Sequence, residues 1–378
     1  MTDLLIYADS IRSPEMRHEV ALPVPDPFLY VERNGERTVV ASAFELQRIR
    51  EVDPGIDARA PEHFGLDELL AEGMSRGEAE REALVRACNE LGVTDAAVPA
   101  TFPLLIADHL RANGIDVHVD HQLFDERRRR KSPRELEGLR RAQRACEAAL
   151  DVARALLRGA TEQDGELVHA GAPLTVERVK EEIERVFSAH GVVGEEFIVS
   201  HGPQTAVGHE MGSGTLRRDE PIVFDLFPRD RETGIYSDMT RTYVVGTPSD
   251  ELREYHRLCK QALEETTAAA KPGVNGRDLM VMACDLFHEH GHKTQLHKEP
   301  GEVLDSGFFH GLGHGVGLEV HEPPTLSRSG DDLVAGDVIT LEPGLYRAGY
   351  GGVRLEDILL VADDGAEVIT NYPYELEP

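Results

Sequence analysis

The chain has 378 residues, a formal net charge of −29 and four cysteines. Because domains usually contain roughly 100–200 residues, this length predicts two domains rather than one small core. The negative charge argues against nucleic acid or an anionic membrane as a partner, since like charges repel. No long apolar run occurs, and the first residues lack the basic and apolar segments of a signal peptide, so we expect neither a membrane span nor secretion.

The cysteines stand singly on apolar, helix-like faces, without a CxxC pair or a disulfide framework. They are Cys88, Cys146, Cys259 and Cys284. This distribution is typical of buried thiols in a reducing compartment and predicts a cytoplasmic protein.

Acidic residues are spread over the whole chain, whereas lysine occurs at only six positions. This composition resembles that of proteins from salt-accumulating halophiles. At molar salt the Debye length is about 3 Å, which screens the self-repulsion of such a surface. We predict that folding requires high salt. An ordinary acidic mesophilic protein is the alternative, and a melting curve that is the same in dilute buffer and in molar KCl would favour it.

The first part of the chain mixes short apolar runs with helical patterns. Strands are predicted at residues 4–7, 39–43, 96–99 and 115–119, and a helix at Arg76–Leu91. We therefore predict an α/β domain over residues 1–130.

A basic run over residues 127–131 precedes Ser132, Pro133 and Glu135, which combine a capping box with proline at the first helical position. A second domain, residues 131–378, therefore begins with a helix. We interpret the basic run as a solvated or salt-bridged linker in preference to a nucleic-acid patch, because the rest of the chain is so acidic.

The second domain contains both helical periodicity and strand-like runs. Helices are predicted at residues 133–157, 175–190, 251–270 and 277–290, and Gly191 and Gly291 supply stop signals. Strands are predicted at residues 196–200, 222–227, 235–245, 338–341 and 353–361. Strands in one region with helices around them indicate an α+β fold.

Four carboxylates lie in or beside these apolar runs: Asp225, Asp238, Glu342 and Glu356. Carboxylates are depleted in strands and costly when they are buried without a partner. A pair of divalent cations would supply the counter-charge that all four need. A histidine- and glycine-rich segment at residues 308–322 contributes imidazoles that lie among closely packed backbones.

The segments FDLFPRDRETGIYSDMTRT, HGLGHGVGLEVHE, TLEPGLY and VRLED occur in the order of the signatures of the creatinase/prolidase/methionine aminopeptidase family. The chain thus resembles the M24, or pita-bread, metallopeptidases, and its first 130 residues resemble the accessory domain of the prolidase and aminopeptidase P branch. The resemblance implies an α+β protein in which a smaller α/β N-terminal domain precedes a C-terminal pita-bread domain.

The resemblance also implies a cage for two divalent metal ions. Asp225 chelates one ion, Asp238 and Glu356 bridge both ions, and His314 and Glu342 bind the other. A cage of mostly oxygen ligands suits Mn²⁺ best, with Co²⁺, Zn²⁺ and Fe²⁺ as alternatives. This chain departs from the family pattern in the loop after Asp225, where Phe227 and Pro228 replace the usual glycine.

The implied activity is hydrolysis of the Xaa-Pro bond, either at the N-terminus of a peptide or in an Xaa-Pro dipeptide. A hydroxide that bridges the ions attacks the carbonyl, and Glu342 shuttles the proton. The implied substrate-binding and catalytic groups around the cage are His209, His310, His321 and Arg354, with Tyr346 beside them as a substrate-binding group. The implied partners are a peptide with proline at its second position and further copies of the chain, as a homodimer or homotetramer.

A non-peptidase of the same fold is the alternative. A metal-dependent lyase keeps the metal ligands, whereas a creatinase-like hydrolase or a binding module lacks them, and all five are present here. Outside the motifs, the remaining histidines have no HExxH spacing and are interpreted as surface or helix-end residues. They include His201, His288, His290, His292 and His297. The glycines at residues 311–317 do not have the G-x-G-x-x-G spacing, which argues against a nucleotide site.

Overall fold

The computed structural model describes residues 2–378 of the chain. These residues form two compact units, one that ends at Arg128 and one that comprises Arg129–Pro378. Each unit has hydrophobic clusters of its own, so the units are described one at a time.

The first unit is an α/β layer. Its strands are β1 (Asp3–Ala8), β2 (Phe28–Arg33), β3 (Glu36–Val40), β4 (Ile56–Arg59), β5 (Asp95–Val98) and β6 (Asp116–Val119). Its helices are α1 (Pro14–Glu19), α2 (Ala43–Val52), α3 (Leu66–Ala71), α4 (Arg76–Leu91), α5 (Leu104–Ala112) and α6 (His121–Arg129), with a 3₁₀ turn at Pro61–Phe64.

The six strands form one sheet in the order β4-β3-β2-β1-β5-β6. Strand β2 runs antiparallel to both of its neighbours, and the other neighbouring pairs are parallel. Leu5 belongs to one hydrophobic cluster, and Leu4 and Ile6 belong to another, because successive side chains of a strand point to opposite faces. The sheet is therefore buried on both faces, which explains the uninterrupted apolar run in β1.

The second unit has four helices, α7 (Pro133–Arg158), α8 (Val176–Ala189), α9 (Asp250–Ala269) and α10 (Gly276–Glu289), and a 3₁₀ turn at Gly202–Ala206. Its first strands are β7 (Thr161–Gln163), β8 (Glu166–His169), β9 (Ala172–Pro173), β10 (Val192–Val193), β11 (Ile198–His201), β12 (Pro221–Leu226), β13 (Arg229–Asp230) and β14 (Met239–Val244). The later strands are β15 (Ser306–Gly307), β16 (Gly313–Gly315), β17 (Glu322–Leu326), β18 (Val338–Leu341), β19 (Gly344–Arg347), β20 (Gly351–Arg354), β21 (Asp357–Val361) and β22 (Ala366–Val368).

These strands form several small sheets, and three of them frame the site described below. Their orders are β11-β12-β14, β15-β19-β20 and β17-β16-β18-β21-β22. Helices α7 and α8 share a hydrophobic cluster with β12 and β14, and helices α9 and α10 share another with β18 and β21. Each helix pair thus covers one face of its strands. On the other face of β18 and β21, Val338 and Ile358 belong to a further hydrophobic cluster.

The four helices predicted for this unit all form, each within one residue of the predicted bounds. The predicted capping box also forms, because the Ser132 side chain accepts a hydrogen bond from the Glu135 backbone N–H. Local signals fix these boundaries, and the apolar stripe of each helix faces a buried cluster.

Three predicted strands are wrong in part. The run at residues 235–245 forms a strand only from Met239, because the Tyr236 and Ser237 backbone N–H groups donate to the Gly317 and Pro228 carbonyls instead of to a ladder partner. The run at residues 353–361 is two strands, β20 and β21, interrupted at Leu355 and Glu356. In the first unit, the strand predicted at residues 39–43 ends at Val40, and a helix starts at Ala43.

The basic run is salt-bridged, as predicted. In the first unit, Arg127 pairs with Glu19 at 2.5 Å and with Glu32 at 2.7 Å. In the second unit, Arg129 pairs with Asp337 at 2.6 Å, and Lys131 with Glu322 at 2.5 Å. The Lys131 and Glu322 side chains are only 4% and 1% exposed, so this pair is fully buried.

The four cysteines are buried and not bonded to one another, as predicted. Across residues 2–378, none of the helices combines the length and the hydropathy that a membrane span requires.

Candidate metal centre

The five predicted metal ligands converge in the second unit. Asp225 lies within β12, Asp238 directly precedes β14, and His314 is the middle residue of β16. Glu342 directly follows β18, and Glu356 lies between β20 and β21. Only the folded chain brings these five residues together, because they come from separate strands.

Short distances join the ligands. His314 Nε2 lies 3.9 Å from Asp238 Oδ2 and 3.7 Å from Glu342 Oε1. Ligand atoms of Asp238, His314 and Glu356 all lie within 4.8 Å of one another, which is a spacing that one metal ion can span. After burial, the charge of Asp225 helps to raise the pKa of Glu342 and of Glu356, so the Asp225 carboxylate lies near both groups.

Strand alternation directs Asp225 toward the site. Its neighbours Phe224 and Leu226 cannot share its face of β12, and both point into the cluster that α7 and α8 cover. Asp225 therefore points to the opposite, polar face. This orientation follows from the apolar pattern of β12 alone.

Glycines allow His314 to lie between two neighbouring strands. A Cβ on Gly313 would lie 2.0 Å from the Thr340 carbonyl oxygen, and a Cβ on Gly315 would lie 2.3 Å from that of Pro323. Any larger residue at these positions would push the strands apart, so the glycines on either side of the imidazole are required for close backbone packing.

The His314 ring is arranged as a metal ligand. Its Nδ1 lies 3.1 Å from the Gly315 carbonyl oxygen, which fixes the proton on Nδ1 and leaves the Nε2 lone pair directed at the carboxylates. Burial and then His321 lower the pKa of His314 to about 4, so the ring is neutral at physiological pH. Neutral imidazole is the form that binds metal ions.

The carboxylates lack a sufficient counter-charge. Burial, followed by the other carboxylates, raises the pKa of Asp238 and of Glu356 well above the ordinary range. Burial raises the pKa of Glu342 to about 8, although Arg354 opposes the shift. Among residues 2–378, no donor reaches the buried Oδ1 of Asp238. A divalent cation satisfies these requirements, so the donor set fits a metal ion.

Arg354 is the cation nearest to these carboxylates. Its Nη2 donates to Asp225 Oδ2 at 2.5 Å, its Nη1 to the Tyr346 hydroxyl at 3.1 Å, and its Nε to Thr240 Oγ1 at 3.3 Å. The side chain is only 7% exposed. Each of its nitrogens is therefore bound to a protein partner, and Arg354 orients Asp225.

His310 and Tyr346 extend this arrangement. His310 Nδ1 lies 2.8 Å from the Gly311 carbonyl oxygen, and its Nε2 lies 2.9 Å from the Tyr346 hydroxyl. Burial and then Arg354 lower the pKa of His310 to about 3, so the ring is neutral. Nδ1–H therefore donates to Gly311, and Tyr346 donates to Nε2. Both ring nitrogens of His310 thus have protein partners, the Gly311 carbonyl oxygen and the Tyr346 hydroxyl.

His209 and His321 are exposed at the edge of the site. The His321 ring contacts the His314 ring edge-on at 4.3 Å between centroids. Burial lowers the pKa of His321, and His209 is the next cause, so the two imidazoles lie near each other. Unlike His310, both residues are exposed.

The other histidines lie outside this cluster. His288 and His297 stack at 4.1 Å, and His297 pairs with Asp285 at 3.2 Å. His201 pairs with Glu220 at 3.1 Å. Within residues 2–378 the only group with ligand atoms close enough for a metal ion is Asp238, His314 and Glu356.

Two residues that the sequence interpretation did not single out support the ligands. Thr240 Oγ1 donates to Glu356 Oε2 at 2.7 Å, and Arg241 Nη1 donates to the Glu356 carbonyl oxygen at 2.7 Å. Both follow Asp238 in the same segment. Their closeness to Asp238 in sequence could have suggested a role at the site. Nothing in the sequence, however, links them to Glu356, which lies more than a hundred residues later.

A buried cage of four carboxylates and one imidazole defines this α+β protein as a metal-binding protein. Residues 137–363 match the model of metallopeptidase family M24, and this match covers more than half of the chain. The chain therefore belongs to metallopeptidase family M24, which confirms the predicted family.

The comparisons with individual proteins agree with this family. An Xaa-Pro dipeptidase from Pyrococcus furiosus is 36% identical over 181 residues, which is 47% of this chain and 48% of that protein. This chain thus matches about half the length of that relative.

Two solved structures have the same fold. The Xaa-Pro dipeptidase from Bacillus anthracis has a TM-score of 0.79 and 22% identity, with 100% of this chain and 94% of that chain covered. An X-Pro aminopeptidase from Thermotoga maritima has a TM-score of 0.79 and 22% identity over 99% of this chain and 97% of that chain. These similarities confirm the predicted pita-bread fold class.

Proposed function

We propose that the chain is a dinuclear metallopeptidase that hydrolyses the Xaa-Pro bond, at the N-terminus of peptides or in Xaa-Pro dipeptides. The observation that carries the proposal is the buried cage, and above all the Asp238 oxygen that no donor of the described chain reaches. The names of the relatives, Xaa-Pro dipeptidase and X-Pro aminopeptidase, support the choice of substrate.

In this proposal the cage holds two divalent ions. Asp225 would hold one ion, His314 and Glu342 would hold the other, and Asp238 and Glu356 would be shared by both. Bound divalent ions supply Lewis acidity and lower the pKa of water toward neutrality. Mn²⁺ is the proposed metal, since four of the five ligand residues offer carboxylate oxygens.

Glu342 is the proposed proton shuttle. Without bound ions, burial raises the pKa of its carboxyl group to about 8. A carboxylate placed beside the attacking water can accept a proton and pass it on. It accepts the proton of the attacking water and delivers it to the leaving nitrogen. An Xaa-Pro bond needs a dedicated site of this kind because its nitrogen carries no N–H for a general peptidase to bind.

The proposed substrate contacts are divided between two groups of residues. His209 and His321, which are exposed beside the cage, donate to the substrate and to the developing oxyanion. Arg354 and His310, whose nitrogens are all bound to protein groups, act on the reaction through Asp225 and Tyr346. We further propose that residues 131–378 are the catalytic domain, that residues 1–130 are an accessory domain, and that the protein is a cytoplasmic homodimer or homotetramer.

The test is an assay of Xaa-Pro dipeptides and Xaa-Pro-Yaa tripeptides with Mn²⁺. We expect cleavage with Mn²⁺ and none after treatment with a chelator, and activity that returns when Mn²⁺ is restored. The ratio of dipeptide to tripeptide hydrolysis distinguishes a dipeptidase from an aminopeptidase. If neither proline nor the N-terminal residue is released from any of these peptides, the proposal is wrong.

A further inference from the structure

We propose that Arg241 is a positioning residue that fixes the Glu356 ligand from behind the metal cage. The inference rests on the proposed metal site and adds to it a residue that touches neither substrate nor metal. It begins with the interruption between β20 and β21, where Glu356 lies outside both strands.

A residue in such an interruption loses its ladder hydrogen bonds, and a buried backbone must replace them. Glu356 is 2% exposed. Its backbone N–H donates to the Thr240 carbonyl oxygen at 3.1 Å, and its carbonyl oxygen accepts from Arg241 Nη1 at 2.7 Å. Strand β14 thus supplies both backbone partners of Glu356, and Arg241 provides one of them through its side chain.

The Arg241 guanidinium is held rigidly enough for this role. It is 1% exposed, and its five hydrogen bonds use as many N–H groups as a guanidinium possesses. The acceptors are the carbonyl oxygens of Thr240, Glu356, Tyr372 and Pro373 and the Asp357 carboxylate, at 2.7–3.0 Å. The Tyr374 ring covers one face of the guanidinium, 4.5 Å from its central carbon.

This arrangement links the two proposed bridging ligands. Asp238 immediately precedes β14, and Arg241 within β14 binds the backbone of Glu356 and the side chain of Asp357. The separation of the Asp238 and Glu356 carboxylates is therefore set by the hydrogen bonds of Arg241 together with those of Thr240. Lysine cannot replace the planar fork, because an ammonium has three donors and cannot reach five fixed acceptors.

The experiment is a calorimetric titration of the metal-depleted full chain with Mn²⁺. We expect Arg241→Lys to bind Mn²⁺ at least about tenfold more weakly than the wild type, in the range that outer-shell ligand partners have in other metal sites. The kcat at limiting Mn²⁺ falls in parallel and recovers at excess Mn²⁺, with little change in KM. A merely structural role would lower the melting temperature and leave the Mn²⁺ affinity unchanged.

Arg154→Met is the matched control. Arg154 is also a largely buried arginine of this unit, but it contacts the Tyr243 and Tyr372 rings and Glu375, none of which is a proposed metal ligand. We expect this variant to bind Mn²⁺ with the wild-type affinity. If Arg241→Lys does not fold, Asp357→Asn removes the charge of one Arg241 acceptor with little change of shape, and we expect it to weaken Mn²⁺ binding several-fold.

Wild-type Mn²⁺ affinity in Arg241→Lys, or in Asp357→Asn when only that variant folds, overturns the inference. An equal loss of affinity in Arg154→Met also overturns it, because the effect would then belong to general destabilisation. Failure of the wild-type chain to bind Mn²⁺ overturns the proposed metal site itself, and this outcome is distinct because it needs no variant.

Discussion

Asp225 and Glu356 are both carboxylates of the proposed cage, but the chain places them in different ways. Asp225 is the penultimate residue of a regular strand, and it points away from the core that its neighbours Phe224 and Leu226 enter. Glu356 lies where β20 ends and β21 has not begun, and it depends on hydrogen bonds from β14. The position of Asp225 is thus set by the strand that contains it, whereas the position of Glu356 is set by hydrogen bonds from a different strand, β14.

The largest expected effect compares the two ligands directly. Glu356→Gln replaces a proposed bridging carboxylate, and Asp225→Asn a proposed ligand of one ion, by a neutral amide with a single oxygen, so the change of charge is the same. We expect both variants to lose activity by about a thousandfold, since metal ions contribute several kcal/mol to such reactions. Metal content after gel filtration separates them: Glu356→Gln retains less Mn²⁺ than Asp225→Asn. Equal retention would contradict the bridging role.

Glu342 is intermediate between Asp225, which lies within a strand, and Glu356, which lies between two strands, because Glu342 directly follows the regular strand β18. If it shuttles protons, Glu342→Gln lowers kcat by about 10²–10⁴-fold. The variant keeps the amide oxygen as a ligand, so KM and Mn²⁺ content change far less than kcat. Steady-state kinetics at saturating Mn²⁺ provide the measurement, and a kcat within threefold of the wild type would exclude the shuttle.

The pH dependence of stability should report on the same carboxyl group in the metal-free protein. Burial raises the pKa of Glu342 from 4.5 to about 8, so the folded chain keeps a proton that the unfolded chain has released. The stability from this group is complete below pH 4.5 and is lost as the pH rises through about 8. The pKa values of His310 and His314 fall from 6.5 to about 3 and about 4. These two groups therefore make the folded chain less stable as the pH falls below 6.5, and they have no effect on the slope above it.

The window from pH 6.5 to 8 therefore isolates the carboxyl contribution. We expect the melting temperature of chelated wild-type protein to fall across this window and that of Glu342→Gln to fall less. Thermal denaturation at three pH values in the window measures the slope. Identical slopes for the two proteins would contradict the raised pKa.

The smallest expected effect concerns the hydroxyl that supports Glu356. Thr240→Val removes the donor to Glu356 Oε2, and one such bond contributes about 1 kcal/mol, which corresponds to roughly fivefold weaker Mn²⁺ binding. Thr242→Val is the control, because the Thr242 hydroxyl bonds only the Arg354 backbone. Equal Mn²⁺ affinities of the two variants would mean that the Thr240 hydroxyl does not help to position the Glu356 carboxylate.

Much of this fold follows from local signals in the sequence. The helices α7 to α10 have capping residues and apolar stripes, so their bounds could be predicted. The five ligands were found by motif, and the glycines around His314 predicted close packing that the structure contains.

The rest depends on contacts between distant segments. Residues 353–361 were predicted as one strand, whereas in the folded chain Thr240 and Arg241 bind Glu356 where the strand is interrupted. The motif places His310 beside the cage, but only the folded chain shows that the Tyr346 hydroxyl occupies its second nitrogen. The order of the strands in the first sheet likewise has no local signal.

The buried pairs Arg129–Asp337 and Lys131–Glu322 limit where the second unit can be cut from the rest of the chain. A fragment that starts at Ser132 lacks both cations and retains two buried acids, and removal of one partner of a buried pair costs about 3–5 kcal/mol. Limited proteolysis should therefore release a durable core only when cleavage falls ahead of Arg129. The autonomous folding unit thus begins before the helix that the capping box marks.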